Sequence, residues 1–174
     1  MLCVGEQDVR IWRFDFDPAG SPYPVSVAKV DRQRITNDVE GLTIMRDGAH
    51  RYLIASSQGH DTYSIFWIEP SGETYVGWFA VTESGDIDGV TSTDSIDTWL
   101  GPIGNYPQGL IAVRDDMDQP TRGQQNFKLV DWRNIKRAIK LALIQRSNET
   151  SYLTLCRGWC RTAFLILCAS VVAT

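Results

Sequence analysis

The sequence has little of the chemistry that zinc sites and nucleic-acid surfaces need. It contains four Cys residues, none in a CxxC pair, and only two His residues, which argues against a zinc finger or zinc ribbon. It has 17 Lys and Arg residues and 21 Asp and Glu residues, which gives a net charge of −4. A basic surface for nucleic acid is therefore not expected. We therefore predict no structural zinc and no nucleic-acid partner.

Long apolar segments are also missing. Residues 163–173 are apolar but number only eleven, whereas a membrane helix needs about 20. The first residues contain neither a basic region nor a long apolar core, so no signal peptide is expected at this start. A membrane partner is not predicted either.

What the sequence does contain is a β pattern that continues to about residue 135. With 174 residues, of which 43% are hydrophobic, the chain can form one domain with a sizeable core. Short β-branched and aromatic runs alternate with turn residues, without a convincing helical period. The predicted strands are Val9–Phe16, Leu42–Met45, Tyr52–Ser56, Tyr63–Ile68, Tyr75–Val81, Leu110–Arg114 and Phe127–Trp132.

Three units of this β region look alike. Each has an apolar strand, a polar turn and an aromatic-rich strand, and they start at Leu2, Leu53 and Leu110, 51 and 57 residues apart. Repeats of roughly 40–50 residues with several strands each are typical of β-propellers, in which equivalent positions surround one axis. The alternative is a repetitive β-sandwich. The side chains that this register places at one repeat position are Gln7, Gln58 and Asp115.

The character of the sequence changes after residue 135. Ile135, Ile139 and Ala142 have helical spacing with basic residues between them, which predicts a helix around 133–146. We expect an all-β segment over 1–135, followed by a C-terminal extension over 136–174 that contains this helix.

A spaced series of oxygen donors runs through the β segment. Asp38 and Glu40 stand two positions apart, so on a strand they point to the same side. Gln58, Asp88 and Asp94 follow within about sixty residues. Carboxylate and amide oxygens are the ligands that Ca²⁺ prefers. The series predicts a metal site formed by folding, with solvated surface carboxylates as the alternative.

The order and spacing of these motifs resemble the β-propeller phytases, calcium-dependent phosphatases that hydrolyse myo-inositol hexakisphosphate. The resemblance covers about residues 2–135 and is to the C-terminal portion of the family. The motifs that carry it are Ile11–Phe14, Asp38–Ile44, Tyr52–Gly59, Tyr75–Gly77, Asp88–Gly89, Thr93–Asp97 and Gln125–Trp132. The resemblance implies about three blades of a six-bladed propeller with calcium ions at one end of its channel.

The resemblance also assigns roles to the oxygen donors. It implies that Asp38, Glu40 and Gln58 bind the catalytic calcium ions, with Asp88 beside them. Asp94 matches a further active-site carboxylate of the family. Asp38, Glu40 and Asp94 are therefore the expected catalytic residues.

Other positions depart from the family pattern or lie away from this group. Asp115 and Asp118 match a stretch that binds a structural calcium, and Asp118 replaces the usual Asn. Gln7 stands where the family usually has an active-site Glu, which keeps an oxygen donor but loses a charge. Ser95 replaces a usual Gly, and Asp131 replaces a usual Pro.

The function implied by the resemblance is calcium-dependent hydrolysis of phosphate monoesters by a metal-activated water. The expected ligand is phytate or another phosphorylated small molecule, and the expected location is extracellular or periplasmic. The blades that supply Lys, Arg and Tyr contacts to phosphate in the family have no counterpart here, so no substrate-binding residue is assigned. The alternative is a non-catalytic calcium-binding propeller segment. For Lys128, a charge that steers phosphate is one interpretation, and a solvated charge at a strand edge is the preferred one.

Overall fold

The computed structural model describes residues 1–117 and 124–139, together with the backbone of a strand at 168–172. In chain order, the first sheet contains β1 (Leu2–Glu6), β2 (Arg10–Phe14) and β3 (Val25–Lys29). The second contains β4 (Leu42–Asp47), β5 (His50–Ser57), β6 (Thr62–Glu69) and β7 (Gly72–Thr82). The third contains β8 (Ile96–Trp99), β9 (Leu110–Asp115) and β10 (Asn126–Asp131).

Two short helices and one further strand complete the described chain. A 3₁₀ helix spans Gln58–His60, and an α-helix, α1, covers residues 132–139. The last strand, β11 (Cys168–Val172), runs parallel to β7 at the edge of the second sheet. None of the helices among the described residues is long and apolar enough to cross a membrane.

The predicted all-β class is confirmed. Each of the seven predicted strands overlaps an observed one, whereas the pattern missed β3, β8 and β11. The repeated units are also seen, because Leu2, Leu53 and Leu110 lie in β1, β5 and β9. Each of those strands forms an antiparallel pair with the strand that follows it. With β4 in contact with both β1 and β8, the three antiparallel sheets are consistent with part of a β-propeller.

The second sheet is buried on both faces, which explains why β5 reads as a nearly continuous apolar run. Leu53 packs into a cluster with Ile11 of the first sheet. The next residue, Ile54, points to the other face and packs with Ile111 of the third sheet. Successive strand side chains face opposite sides, so a sheet between two neighbours needs apolar residues at every position.

Helix α1 is part of this core. The carboxylate of Asp131 caps the helix, because Asp131 Oδ1 accepts from the backbone N–H of Arg133 at 2.8 Å. Trp132, Ile135 and Ile139 are buried in the cluster between the second and third sheets. Of the helix predicted over 133–146, residues 140–146 lie outside the described residues. The division into segments at residue 135 stays a prediction.

Candidate functional site

Two carboxylates and one amide meet where the β1–β2 turn faces the segment that leads into β4. The backbone N–H of Val39 donates to the carbonyl oxygen of Gln7 at 3.0 Å, which holds the two segments together. Gln7 Nε2 donates to Asp38 Oδ1 at 3.1 Å and to Glu40 Oε1 at 2.7 Å. The two carboxylates therefore share one partner, although they precede β4 rather than lying within a strand.

The backbone of Asp38 adopts a left-handed conformation, with φ of 59°. Such a conformation is uncommon for residues other than Gly, and Asp is among the residues that tolerate it best. It is held by neighbours, because the backbone N–H of Gln58 donates to the Asp38 carbonyl at 3.1 Å. The Asn37 side chain donates to Asp38 Oδ2 at 3.1 Å. The 3₁₀ helix thus holds the backbone of Asp38, while Asn37 and Gln7 hold its carboxylate.

Gln58 lies beside this group, at the start of the 3₁₀ helix. Its Nε2 donates to the carbonyl oxygen of Ser92 at 3.5 Å, and the backbone N–H of Ser92 donates to the Asp61 carboxylate. Gln58 is consequently held between the Asp38 backbone and the loop before β8.

Asp94 stands at the end of that loop, against the residue that follows Glu40. A Cβ atom at Gly41 would lie 2.5 Å from the carbonyl oxygen of Asp94, so only glycine fits this approach. The Asp94 carboxylate pairs with Nη1 of Arg114, whose Nη2 lies 2.8 Å from Asp116 Oδ1. Asp94 is therefore close in space to the Asp38–Glu40 segment and is held by an arginine.

Asp88 and Asp115 belong to a second, buried group. Lys128 Nζ contacts the Asp88 carboxylate and lies 3.1 Å from Asp115 Oδ2. Asp115 is fully buried, and its Oδ1 accepts from the backbone N–H of Thr91 at 2.9 Å and from the Thr91 hydroxyl at 3.2 Å. The interpretation of Lys128 as a solvated strand-edge charge is wrong, since only 5% of the residue is exposed.

The seven predicted metal ligands thus fall into distinct places. Gln7, Asp38 and Glu40 form one contact group, while Asp88 and Asp115 contact Lys128. Asp118 lies outside the described residues. Over residues 1–117 and 124–139, no three His, Cys, Asp or Glu side chains come together in a group that could hold a metal ion by themselves. The ligand assignments stay predictions.

A buried tyrosine lies beneath these loops. Tyr63 of β6 is fully buried, and its hydroxyl has no hydrogen-bond partner in the part of the chain that the structure describes. Burial raises its pKa, and the nearby carboxylates of Asp115, Asp61 and Asp94 raise that pKa further. Tyr63 therefore stays neutral beside these carboxylates.

Two residues of the site region were missed by sequence reasoning. Arg114 lies near the end of the mainly apolar strand β9 and contacts an aspartate 20 positions away, so no local pattern marks it. Lys128 sits between Phe127 and Leu129, and ordinary alternation would bury those two residues instead. Here Phe127 is 68% exposed, because the inward position carries the ammonium that faces Asp88 and Asp115.

Comparison with known proteins identifies the family. The family model described as phytase matches residues 1–147, which extends past the motifs that end at Trp132. The 3-phytase of Bacillus subtilis (strain 168) is 37% identical over 141 residues, covering 77% of this chain and 36% of that relative. The chain therefore spans about a third of the length of the curated relative. With a family match over most of its residues, the chain belongs to the phytase family.

Proposed function

We propose that this chain is part of a calcium-dependent phosphomonoester hydrolase of the 3-phytase type, acting on phytate. Membership of the phytase family supports the reaction class. The observation that carries the calcium site is the meeting of Asp38 and Glu40 at a single atom, Nε2 of Gln7. We further propose an extracellular or periplasmic location, which rests on the family resemblance alone.

The residues of this group fit a calcium ion after one rotation. Asp38 and Glu40 supply carboxylate oxygens, and Glu40 is exposed at the surface. The position between them now holds the amide nitrogen of Gln7. Because the two ends of an amide exchange by rotation of the side chain, Gln7 can present Oε1 to a cation at the same place. The donor set is then all oxygen, as calcium requires.

The contacts suggest a proposed role for each residue of the site. Asp38, Glu40 and Gln7 hold the cation, with Gln58 beside them. Bound Ca²⁺ supplies positive charge that offsets the charge of a polyanionic substrate, polarises the P–O bond and lowers the pKa of a bound water. Asp94, fixed by Arg114, orients the attacking water.

The reaction needs no covalent intermediate with the protein. The water oxygen forms a new bond to phosphorus on the side opposite the bridging ester oxygen. The bond between phosphorus and that bridging oxygen breaks. One water proton ends on the released inositol oxygen, which gives an alcohol and inorganic phosphate.

A second candidate is a calcium-binding propeller segment without catalytic activity. The observation that favours it is the Gln7 amide, which replaces the usual family Glu and satisfies both carboxylates without a cation. One acidic charge fewer at this place weakens the attraction for Ca²⁺. In that case calcium binds and stabilises the loops, but no phosphate is released.

Phosphate release from phytate by the purified chain at rising Ca²⁺ separates the two candidates. The hydrolase proposal expects Ca²⁺-dependent release that falls at least about 100-fold in Asp94→Asn, since a carboxylate that accepts a proton from the attacking water contributes about 10²-fold to 10⁴-fold. Asp86→Asn, in the exposed turn between β7 and β8, is the matched control and should keep the wild-type rate. Calcium binding without any phosphate release would favour the second candidate.

A further inference from the structure

The segment that leads into β8 is tied down at both ends by cations of the third sheet. At its start, Asp88 contacts Lys128 of β10. At its end, Asp94 pairs with Arg114 of β9. The segment 88–94 therefore lies across the third sheet, and its far end carries the proposed catalytic carboxylate.

The start of this segment is anchored more deeply than its end. The side chain of Lys128 is 4% exposed, and those of Asp115 and Asp88 are 0% and 17% exposed. Asp115 also accepts from both polar groups of Thr91, and the backbone N–H of Asp116 donates to the Thr91 carbonyl at 3.2 Å. Three links thus join the middle of the segment to the end of β9.

The rest of the segment connects this buried anchor to the candidate site. Val90 donates to the carbonyl of Val81 at 3.0 Å, and Ser56 donates through its hydroxyl to the carbonyl of Thr93. Beyond Thr93, the carbonyl of Asp94 approaches Gly41 so closely that no side chain fits there. A shift at the buried end would therefore displace Asp94 relative to the Asp38–Glu40 segment.

We propose that Lys128 is a positioning residue, whose buried ammonium holds Asp88 and Asp115 and thereby sets Asp94 against the calcium-binding segment. The expected effect of Lys128 on calcium binding rests on the function proposed above. The expected effect on stability without calcium rests only on the charges of the cluster. Among the described residues, the cluster carries one positive and two negative charges. Without the ammonium, two carboxylates with little access to water face each other, and the start of the segment must move to separate them.

Charge-matched variants test this role. Lys128→Met keeps most of the side-chain length but removes the ammonium, which leaves the described members of the cluster with a charge of −2. Lys128→Met combined with Asp88→Asn restores their wild-type value of −1. We expect Lys128→Met to lower the thermal midpoint measured without calcium and to reduce the calcium affinity about 10-fold to 100-fold, as outer-shell changes at metal sites do. The double variant should recover most of both losses.

Each outcome decides the proposal. An unchanged midpoint and calcium affinity in Lys128→Met would overturn it. A double variant no more stable than the single variant would also overturn it, because that result would indicate a loss of packing alone or direct calcium binding by Asp88. If Lys128→Met does not fold, recovery of folding in the double variant supports the proposal and failure to recover overturns it. Asp38→Asn tests the proposed calcium site separately. Unchanged calcium binding in Asp38→Asn would contradict that site, whereas the thermal midpoints without calcium would still test the role of Lys128.

Discussion

Two groups of acidic side chains in this protein are held by different kinds of partner. The surface group places Asp38 and Glu40 around a neutral amide from Gln7. The interior group places Asp88 and Asp115 around the ammonium of Lys128. An amide at the surface can turn and give way to a cation, whereas a buried ammonium cannot leave without exposing two carboxylates to each other. The first arrangement suits a ligand site, and the second suits an anchor.

The largest expected difference between the groups is in stability without calcium. Asp115→Ala leaves the buried Lys128 ammonium with one partner fewer, and breaking a buried pair in this way costs about 3–5 kcal/mol of unfolding free energy. Glu40→Ala, the matched change at the surface group, should alter that free energy by no more than about 0.5 kcal/mol. Urea unfolding in the presence of EDTA measures both. Equal losses in the two variants would show that the groups do not differ as described.

The order of effects should reverse for calcium binding. Asp38→Ala or Glu40→Ala removes a proposed ligand, so the calcium affinity should fall more than about 100-fold, beyond the 10-fold to 100-fold that outer-shell changes cost. Isothermal titration with CaCl₂ gives the affinity, and the exposed Asp86→Asn serves as the control. If both alanine variants titrate like the wild type, the assignment of the metal to this group is wrong.

Gly41 connects the surface group to Asp94, and a methyl group there should separate them. Gly41→Ala places Cβ 2.5 Å from the Asp94 carbonyl oxygen, and such overpacking costs about 1–3 kcal/mol. We expect phosphate release to fall more than the calcium affinity, because Asp94 moves while Asp38 and Glu40 keep their carboxylates. Gly48→Ala, at an open turn, adds the backbone strain of a positive φ but no close contact, so it shows how a general loss of stability affects phosphate release. Wild-type release from Gly41→Ala would indicate that the position of Asp94 is unimportant.

A smaller effect is expected from restoring the usual family residue at position 7. Gln7→Glu adds a third carboxylate beside Asp38 and Glu40, which should raise the calcium affinity about tenfold, equivalent to about 1.4 kcal/mol. The same change should lower stability in EDTA, since three like charges then lack a cation. Titration and thermal unfolding check the two parts. A Gln7→Glu chain that binds calcium no better than the wild type would mean that Gln7 lies outside the site.

The smallest effect concerns an ion pair that serves only the fold and gives a baseline for the comparison. Side-chain hydrogen bonds from Arg133 lower the pKa of Asp131, although partial burial acts in the opposite direction. The pair therefore stabilises the folded state above the usual Asp pKa of about 3.9, and this contribution is lost as pH falls through the lowered folded-state pKa. Asp131→Asn should lose about 1 kcal/mol or less at neutral pH and show a flatter pH dependence below pH 4 in urea unfolding. A steeper dependence than that of the wild type would contradict this sign.

The sequence predicted more of the sheets than of the contacts between charges. Strands such as β5 and β6 were predictable because long β-branched and aromatic runs form them. β3 and β8 were not, because Val25–Lys29 and Ile96–Trp99 are short and mix polar with apolar residues. Their pairing depends on β2 and β9, which local patterns do not reveal.

The same distinction applies to the candidate site. The i, i+2 spacing of Asp38 and Glu40 predicted that both side chains point to one object, and both contact Gln7, although neither residue lies on a strand. The repeat register placed Gln7, Gln58 and Asp115 at one repeat position. The register could not separate Gln7 from Asp115, although one lies at the surface and the other is fully buried. That difference arises from Lys128, whose inward position overrides the apolar alternation of β10 because it faces two carboxylates.

The most direct test of the calcium site is a crystal structure of the chain grown with saturating Ca²⁺ and refined with anomalous scattering. We expect a calcium ion about 2.3–2.6 Å from carboxylate oxygens of Asp38 and Glu40, with the Gln7 amide turned so that Oε1 faces the ion. A structure in which Gln7 Nε2 still bridges the two carboxylates at saturating calcium would contradict the account.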